Sequence, residues 1–294
     1  MKHTLKITLM LVLIFFTAQI VGLSIVNSYI DHKISDETGE IVFVDLPYDI
    51  ERPPVEEGSS FAYIITAVLI GTGLVFLLIK FKKQNLWRIW FLLAVILTLA
   101  ISFSAFILPA IAFGLAAILA IWKVYKPNPW IHNITEVFVY GGLAAIFVPM
   151  MNIFAAVMLL LLISVYDMIA VWKSKHMVAM AKFQTESNVF AGLTIPYKKV
   201  KQSSERGAVK KKVKTAILGG GDIGFPLLFA GVIMKGLMME NIVIIGFLKS
   251  LIIPVMTTVA LFVLLVKGKE NRFYPAMPFL SIGCFVGYAI VLLL

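Results

Sequence analysis

Residues Met150–Trp172 read MMNIFAAVMLLLLISVYDMIAVW, a run of 23 in which Asp167 carries the sole charge. An α-helix rises about 1.5 Å per residue and the hydrocarbon core of a bilayer is about 30 Å thick, so this run has the length and composition of a membrane span. An ionisable group in that interior costs several kcal/mol and by default marks function. Asp167 is therefore the point from which the rest of the chain is read.

The composition carries the same reading across the chain. Of 294 residues, 60% are hydrophobic and 14% charged, with mean hydropathy +0.95, whereas soluble domains have about a quarter of their residues charged. Apolar surface on this scale has to face lipid. Runs of adequate length lie at Ile7–Val26, Phe61–Ile79, Trp87–Leu108, Pro109–Trp122, His132–Pro149, Met150–Trp172, Ile217–Met234, Ile242–Val266 and Pro275–Leu294. Pro109 splits one long run into two short helices, because proline lacks an amide donor and clashes with the preceding turn. The expected fold is an all-α polytopic membrane protein of nine transmembrane helices in one membrane-embedded domain, 1–294. Helices 1–6 fill residues 7–172, a basic loop 173–214, and helices 7–9 residues 215–294. Lys2 and Lys6 precede the first run as in a signal peptide, but that run is long for an h-region and no clean A-x-A site follows, so a retained helix is expected.

Nine crossings put 22 of the 26 Lys and Arg on one side of the membrane. That side should be cytoplasmic, with the N-terminus on it and the C-terminus external. The loop from Asp31 to Ser60 holds nine of the 16 acids and is expected outside, with Pro47, Pro53 and Pro54 excluding a helix there and Glu40–Asp45 alternating like a short strand. The cluster Lys210, Lys211, Lys212 and Lys214 reads as a contact for anionic headgroups. The formal charge of +10 thus belongs to membrane lipid, and no basic, aromatic-interleaved module points to nucleic acid. One cysteine, Cys284, excludes an intrachain disulfide and a Cys-rich metal site; no metal or cofactor is expected. The protein should be an integral, multi-pass membrane protein, in the cell membrane if prokaryotic.

Outside the acidic loop, the reading places only Asp167 and Asp222 well inside spans. Asp167 lies six residues from Lys173, about 9 Å, and Asp222 eight residues from Lys214, about 12 Å if helical, so two antiparallel helices would bring both carboxyls to one level. Two such carboxyls share a proton. One can then take a proton from an attacking water while the other hydrogen-bonds a peptide carbonyl. Gly219, Gly220 and Gly221 before Asp222 disfavour helix, which leaves unwound backbone at a cavity or else permits close helix packing. Ile217 and Leu218 would offer an edge to an extended substrate segment. Pro275, Ala276 and Met277 open the ninth span at the same level, as a proline at a helix start does.

Together these residues resemble the presenilin and signal peptide peptidase family of intramembrane aspartyl proteases, most closely its archaeal homologues. Tyr166-Asp167 matches the family's Y-D, Gly219-Gly220-Gly221-Asp222 its G-x-G-D, and Pro275-Ala276-Met277 its P-A-L, with Met in place of Leu. The resemblance implies Asp167 and Asp222 as the catalytic pair. It gives Tyr166 a part in positioning them, and Pro275, Ala276 and Met277 a part in shaping the site and meeting substrate. It implies transmembrane peptide or protein substrates; self-association stays open. The rival is a proton-coupled secondary transporter using the same aspartates, but such sites sit between inverted repeats, and no internal repeat is visible. Lys249, which favours a transporter, reads as a lysine snorkelling outwards from the eighth span. H-E-x-x-H is absent, and His3, His32, His132 and His176 lie in tails, loops or a span edge, away from serine chemistry.

Overall fold

The computed structural model describes residues 4–173, 183–184, 187, 189–203, 209–240, 243–268 and 274–294, with side chains for all but 198–203, 209–214 and 240. The expectations at Lys2, His3, His176 and Arg272, and those for the side chains of Lys210, Lys211, Lys212 and Lys214, lie outside the described residues.

The chain is mostly helical. In order it forms α1 (Leu5–Ser28), α2 (His32–Thr38), α3 (Ser60–Lys80), α4 (Gln84–Ser104), α5 (Pro109–Tyr125), α6 (Pro129–Phe147) and α7 (Ile153–Met168). Strands β1 (Gly192–Ser203) and β2 (Val209–Gly219) follow, then α8 (Gly220–Glu240), α9 (Val243–Ser250), α10 (Ile252–Lys267) and α11 (Met277–Leu292). Among the described residues, seven helices or helix pairs are long and apolar enough to cross a membrane, and α5 and α11 are shorter apolar helices. Every expected span falls on one of these elements.

The local boundaries follow backbone chemistry. Pro109 is the first residue of α5, where its missing amide costs nothing. The expected eighth span is broken at Leu251 into α9 and α10; Pro254 can neither donate to the Ser250 carbonyl nor avoid it. In the acidic loop, Asp31 caps the short α2 by accepting from the Ile34 amide at 3.1 Å, and Gly39 ends it at φ +71°. The loop expected to hold no helix thus opens with one, because its prolines begin only at Pro47; residues 47–58 contain none, and the alternating stretch contributes one isolated bridge, Ile30 with Phe43.

The all-α expectation needs one correction. Residues 192–203 and 209–219, read as basic loop and the opening of the seventh span, form an antiparallel strand pair, and the helix of that span starts at Gly220. The reason lies in the alternation of buried Leu193, Ile195, Ala216 and Leu218 with β-branched Thr194, Thr215 and Ile217. Such a period of two suits a half-buried strand.

The core is built around α1, α6 and α8, whose buried Leu11, Phe15, Leu23, Tyr140, Ala144, Ile223, Leu227 and Phe229 form one cluster. Helices α7 and α11 pack on α8 and on each other, and Phe229 meets Phe285 and Tyr288 edge-on at 5.8 and 6.0 Å. Pairs of this geometry add about 0.5–1.5 kcal/mol beyond their burial.

Candidate active site

Asp167 lies one residue before the end of α7, where the helix widens into a π-helical turn over Ile169–Lys173. Its residue is 9% exposed. The first amides of any helix lack intrahelical partners. In α11 the second of these, at Pro278, is absent, and the Met277 amide is instead given to Asp167 Oδ2 at 3.0 Å. One turn earlier on α7, Ser164 and Ser281 exchange a hydrogen bond at 2.9 Å, which fastens α7 to α11. Pro275 and Met277 are buried and Ala276 is half-buried. The helix thus begins two residues later than expected, and Pro275 is part of the extended approach to it.

Tyr166, the neighbour of Asp167, turns towards α3 and shares a hydrogen bond with the Thr72 hydroxyl at 3.1 Å.

Asp222 sits in the first turn of α8, immediately after a strand-to-helix joint. The sequence reading put Asp222 eight residues inside a helix; residues to Gly219 are strand, so that depth arithmetic does not hold. Of the three glycines, Gly219 ends β2 and Gly220 and Gly221 are already helical. Gly220 allows the closest approach. A Cβ there would lie 2.5 Å from Tyr140 Oη, so only glycine lets α6 come this near. At Gly221 an added Cβ would meet only the Phe225 ring edge, at 3.2 Å, and at Gly219 the Asp222 carboxyl at 3.3 Å. Pro226 lacks the amide that would bond the Asp222 carbonyl, and Gln19 of α1 donates to the next one, Ile223, at 2.9 Å.

The hairpin has one covered and one open edge. On β1, Gly192 donates to Glu136 Oε2 at 2.9 Å, and its carbonyl lies 2.7 Å from His132 Nε2. Asn133 pairs with both backbone groups of Thr194, at 3.0 and 2.8 Å. Gly192 and Thr194 therefore face α6. Their register partners are Gly219 and Ile217, and in an antiparallel ladder residues opposite each other turn their backbone groups the same way relative to the partner strand. The Ile217 amide and carbonyl consequently point out of the far edge of β2, which no third strand occupies among the described residues. Leu218 faces β1 with its backbone and is 4% exposed, so the edge expected of Ile217 and Leu218 belongs to Ile217.

Two charged residues escaped the sequence reading. Lys123 follows the Pro109–Trp122 run directly and Glu136 is the fifth residue of the His132–Pro149 run, so neither stands out as deep in a span. In the structure they form an ion pair whose side chains are 2% and 1% exposed, and Tyr140 donates to the other carboxylate oxygen. Opposite charges flanking the Pro127–Pro129 turn, thirteen residues apart, were the available signal.

Lys249 donates to the Leu294 carbonyl at 3.4 Å, at the end of the chain. Among the described residues no group of three His, Cys, Asp or Glu is placed to hold a metal.

Residues 38–294 match the family described as signal-peptide peptidase, presenilin aspartyl protease. No curated protein matches. Two solved structures share the fold, both of a presenilin family intramembrane aspartate protease. The one in space group P2 is 17% identical, with TM-score 0.62 and 97% of each chain covered. The one in C222 is 16% identical, with TM-score 0.57, covering 96% of this chain and 95% of the other. Nothing in these likenesses supports a transporter. An apolar helical chain that seats Asp167 and Asp222 on packed helices, and matches this family over residues 38–294, belongs to the signal-peptide peptidase and presenilin family and is an intramembrane aspartyl protease.

Proposed function

We propose that Asp167 and Asp222 are the catalytic dyad of a single-domain, nine-crossing protease that cuts peptide bonds within transmembrane segments. The observation that carries this reading is that Asp167, its carboxyl fixed by the Met277 amide, and Asp222, in the first helical turn after an open strand edge, stand on helices α7 and α8 that pack together. One carboxylate accepts a proton from water as the oxygen attacks the peptide carbonyl. Its protonated partner hydrogen-bonds the carbonyl oxygen and later returns a proton to the leaving amine. A substrate helix hides its peptide bonds in its own hydrogen bonds, so it must first unwind. The Ile217 amide and carbonyl offer the unwound segment a strand to pair with, by β-augmentation. Pro275, Ala276 and Met277 bound the cleft beside Asp167, and Gly219 and Gly221 leave room for the scissile segment beside Asp222, while Gly220 admits Tyr140. Tyr166 sets the rotation of the end of α7 through Thr72. The dyad lies nearer the lysine-rich side, so the first cut falls in that half of a substrate span.

The test uses purified protein in liposomes with a transmembrane peptide and mass spectrometry of the products. Asp167→Asn and Asp222→Asn each keep volume and remove one half of the proton-sharing pair. Each should lower turnover about 10²–10⁴-fold or more without changing the melting temperature by more than a few degrees. The wild-type rate should follow a bell-shaped pH curve, because both fully protonated and fully ionised pairs are inactive. Retained turnover in either folded variant would refute the dyad.

A further inference from the structure

We infer that Glu136 is a positioning residue of this protease: with Lys123 and Tyr140 it fixes the joint from which Asp222 projects. The inference rests on the dyad reading above and adds a buried group that lies outside it.

A buried ion pair is not in itself a source of stability, because the desolvation of both charges offsets their attraction, and well-packed apolar residues often serve as well. What an apolar pair cannot do is present an acceptor at a fixed point. Both oxygens of Glu136 are committed. Oε1 takes the Lys123 ammonium, which also stands 5.5 Å above the Phe91 ring. Oε2 takes two donors, the Tyr140 hydroxyl and the Gly192 amide, the latter at 2.9 Å.

Those two donors bracket the joint. Gly192 is the first residue of β1, at φ +135°, and an added Cβ would fall 2.1 Å from the Leu218 carbonyl oxygen. It pairs with Gly219, and the rung continues into α8, where the Gly220 amide donates to the Ala191 carbonyl at 3.2 Å. On the other side, the Tyr140 hydroxyl end rests on Gly220 and its ring edge on Gly224, two residues before and two after Asp222. Fixing Glu136 therefore fixes both the last rung of the hairpin and the helical turn that carries Asp222. A single sp² oxygen has two lone pairs, so Oε2 can hold both donors at once. A displacement of about 1 Å at a reacting group costs about 10²-fold in rate, so loss of this clamp should appear in catalysis before it appears in folding.

The experiment compares two equally uncharged double variants in liposomes with the same transmembrane peptide. Lys123→Met with Glu136→Gln keeps a carbonyl acceptor for Tyr140 and Gly192; Lys123→Met with Glu136→Leu does not. The Gln form should rescue kcat to within about threefold of wild type. The Leu form should lose tenfold or more in kcat with KM changed less than twofold, scatter the cleavage position over neighbouring bonds, and speed hydrogen exchange in the peptide covering 191–197. Equal kcat and a single cleavage site in both would overturn the inference. If the Leu form fails to fold, Tyr140→Phe decides. It removes one hydroxyl; a lower kcat with scattered products supports the clamp, and an unchanged kcat and product pattern overturns it. Absence of cleavage by the wild type would instead remove the protease reading itself.

Discussion

The two edges of the β1–β2 hairpin are made of similar backbone and have opposite fates. The outer edge of β1 is taken up by three side chains of α6, with His132, Asn133 and Glu136 bonded to the backbone of Gly192 and Thr194. The outer edge of β2 carries the Ile217 amide and carbonyl, with an Ile217 side chain that is 43% exposed. An unpaired strand edge is a template for another chain, and proteins usually blunt one that has no use. Among the described side chains the blunting lies on the strand on the α6 side, and the edge left open at Ile217 leads within five residues to Asp222. On the function proposed above, the difference teaches that direction of access, as much as the aspartates, would be specified by side chains on a neighbouring helix.

The comparison can be broken by substitution, and the largest effect is expected on the covered side. Gly220→Val drives its Cβ into Tyr140 and should reduce cleavage about 10²-fold or more, whereas Gly221→Val displaces only the movable Phe225 ring and should cost about tenfold less. Comparable losses in the two, measured as kcat/KM on one peptide, would show that Tyr140 is not the constraint. An intermediate effect is expected at the open edge. Proline is tolerated where a strand amide points away from its partner. Ile217→Pro should therefore leave the hairpin and the melting temperature intact, yet lower kcat/KM about tenfold by removing a donor worth about 1 kcal/mol or slightly more to an incoming strand. An unchanged kcat/KM would detach that edge from substrate. The smallest effect belongs to Asn133→Ala. It frees the Thr194 groups, so it should cost about 1–3 kcal/mol of stability and change KM less than twofold; a large rise in KM would mean that substrate uses β1 instead.

The contrast also explains what the sequence could disclose. Asp167 and Asp222 stand out because a carboxylate in an apolar run has few structural uses, and Pro275 and the glycines because their backbones are unlike those of other residues. The nine apolar runs mark the helices for the same reason of composition. The strand pair does not stand out, since Lys198 to Lys214 is rich in charge and reads as solvated loop; among the described side chains Leu193, Ile195, Ala216 and Leu218 are buried, and they alternate. Lys123 and Glu136 were hidden by their place near the ends of spans, where a long side chain ordinarily reaches for water. Their burial depends on the hairpin folding back over α6, a contact between residues about 56 apart that no local pattern encodes.

Disulfide cross-linking tests most directly which edge receives the substrate. Cys284 is fully buried, so added cysteines stand alone at the surface. In an Asp167→Asn background that spares the substrate, Ile217→Cys or Thr194→Cys would be combined with transmembrane peptides bearing one cysteine at successive positions. A strand paired on β2 places facing Cα atoms about 5.5 Å apart, within disulfide range. Ile217→Cys should then cross-link at alternate peptide positions near the cleavage site, and Thr194→Cys should not. Cross-linking at Thr194→Cys with none at Ile217→Cys would contradict the account.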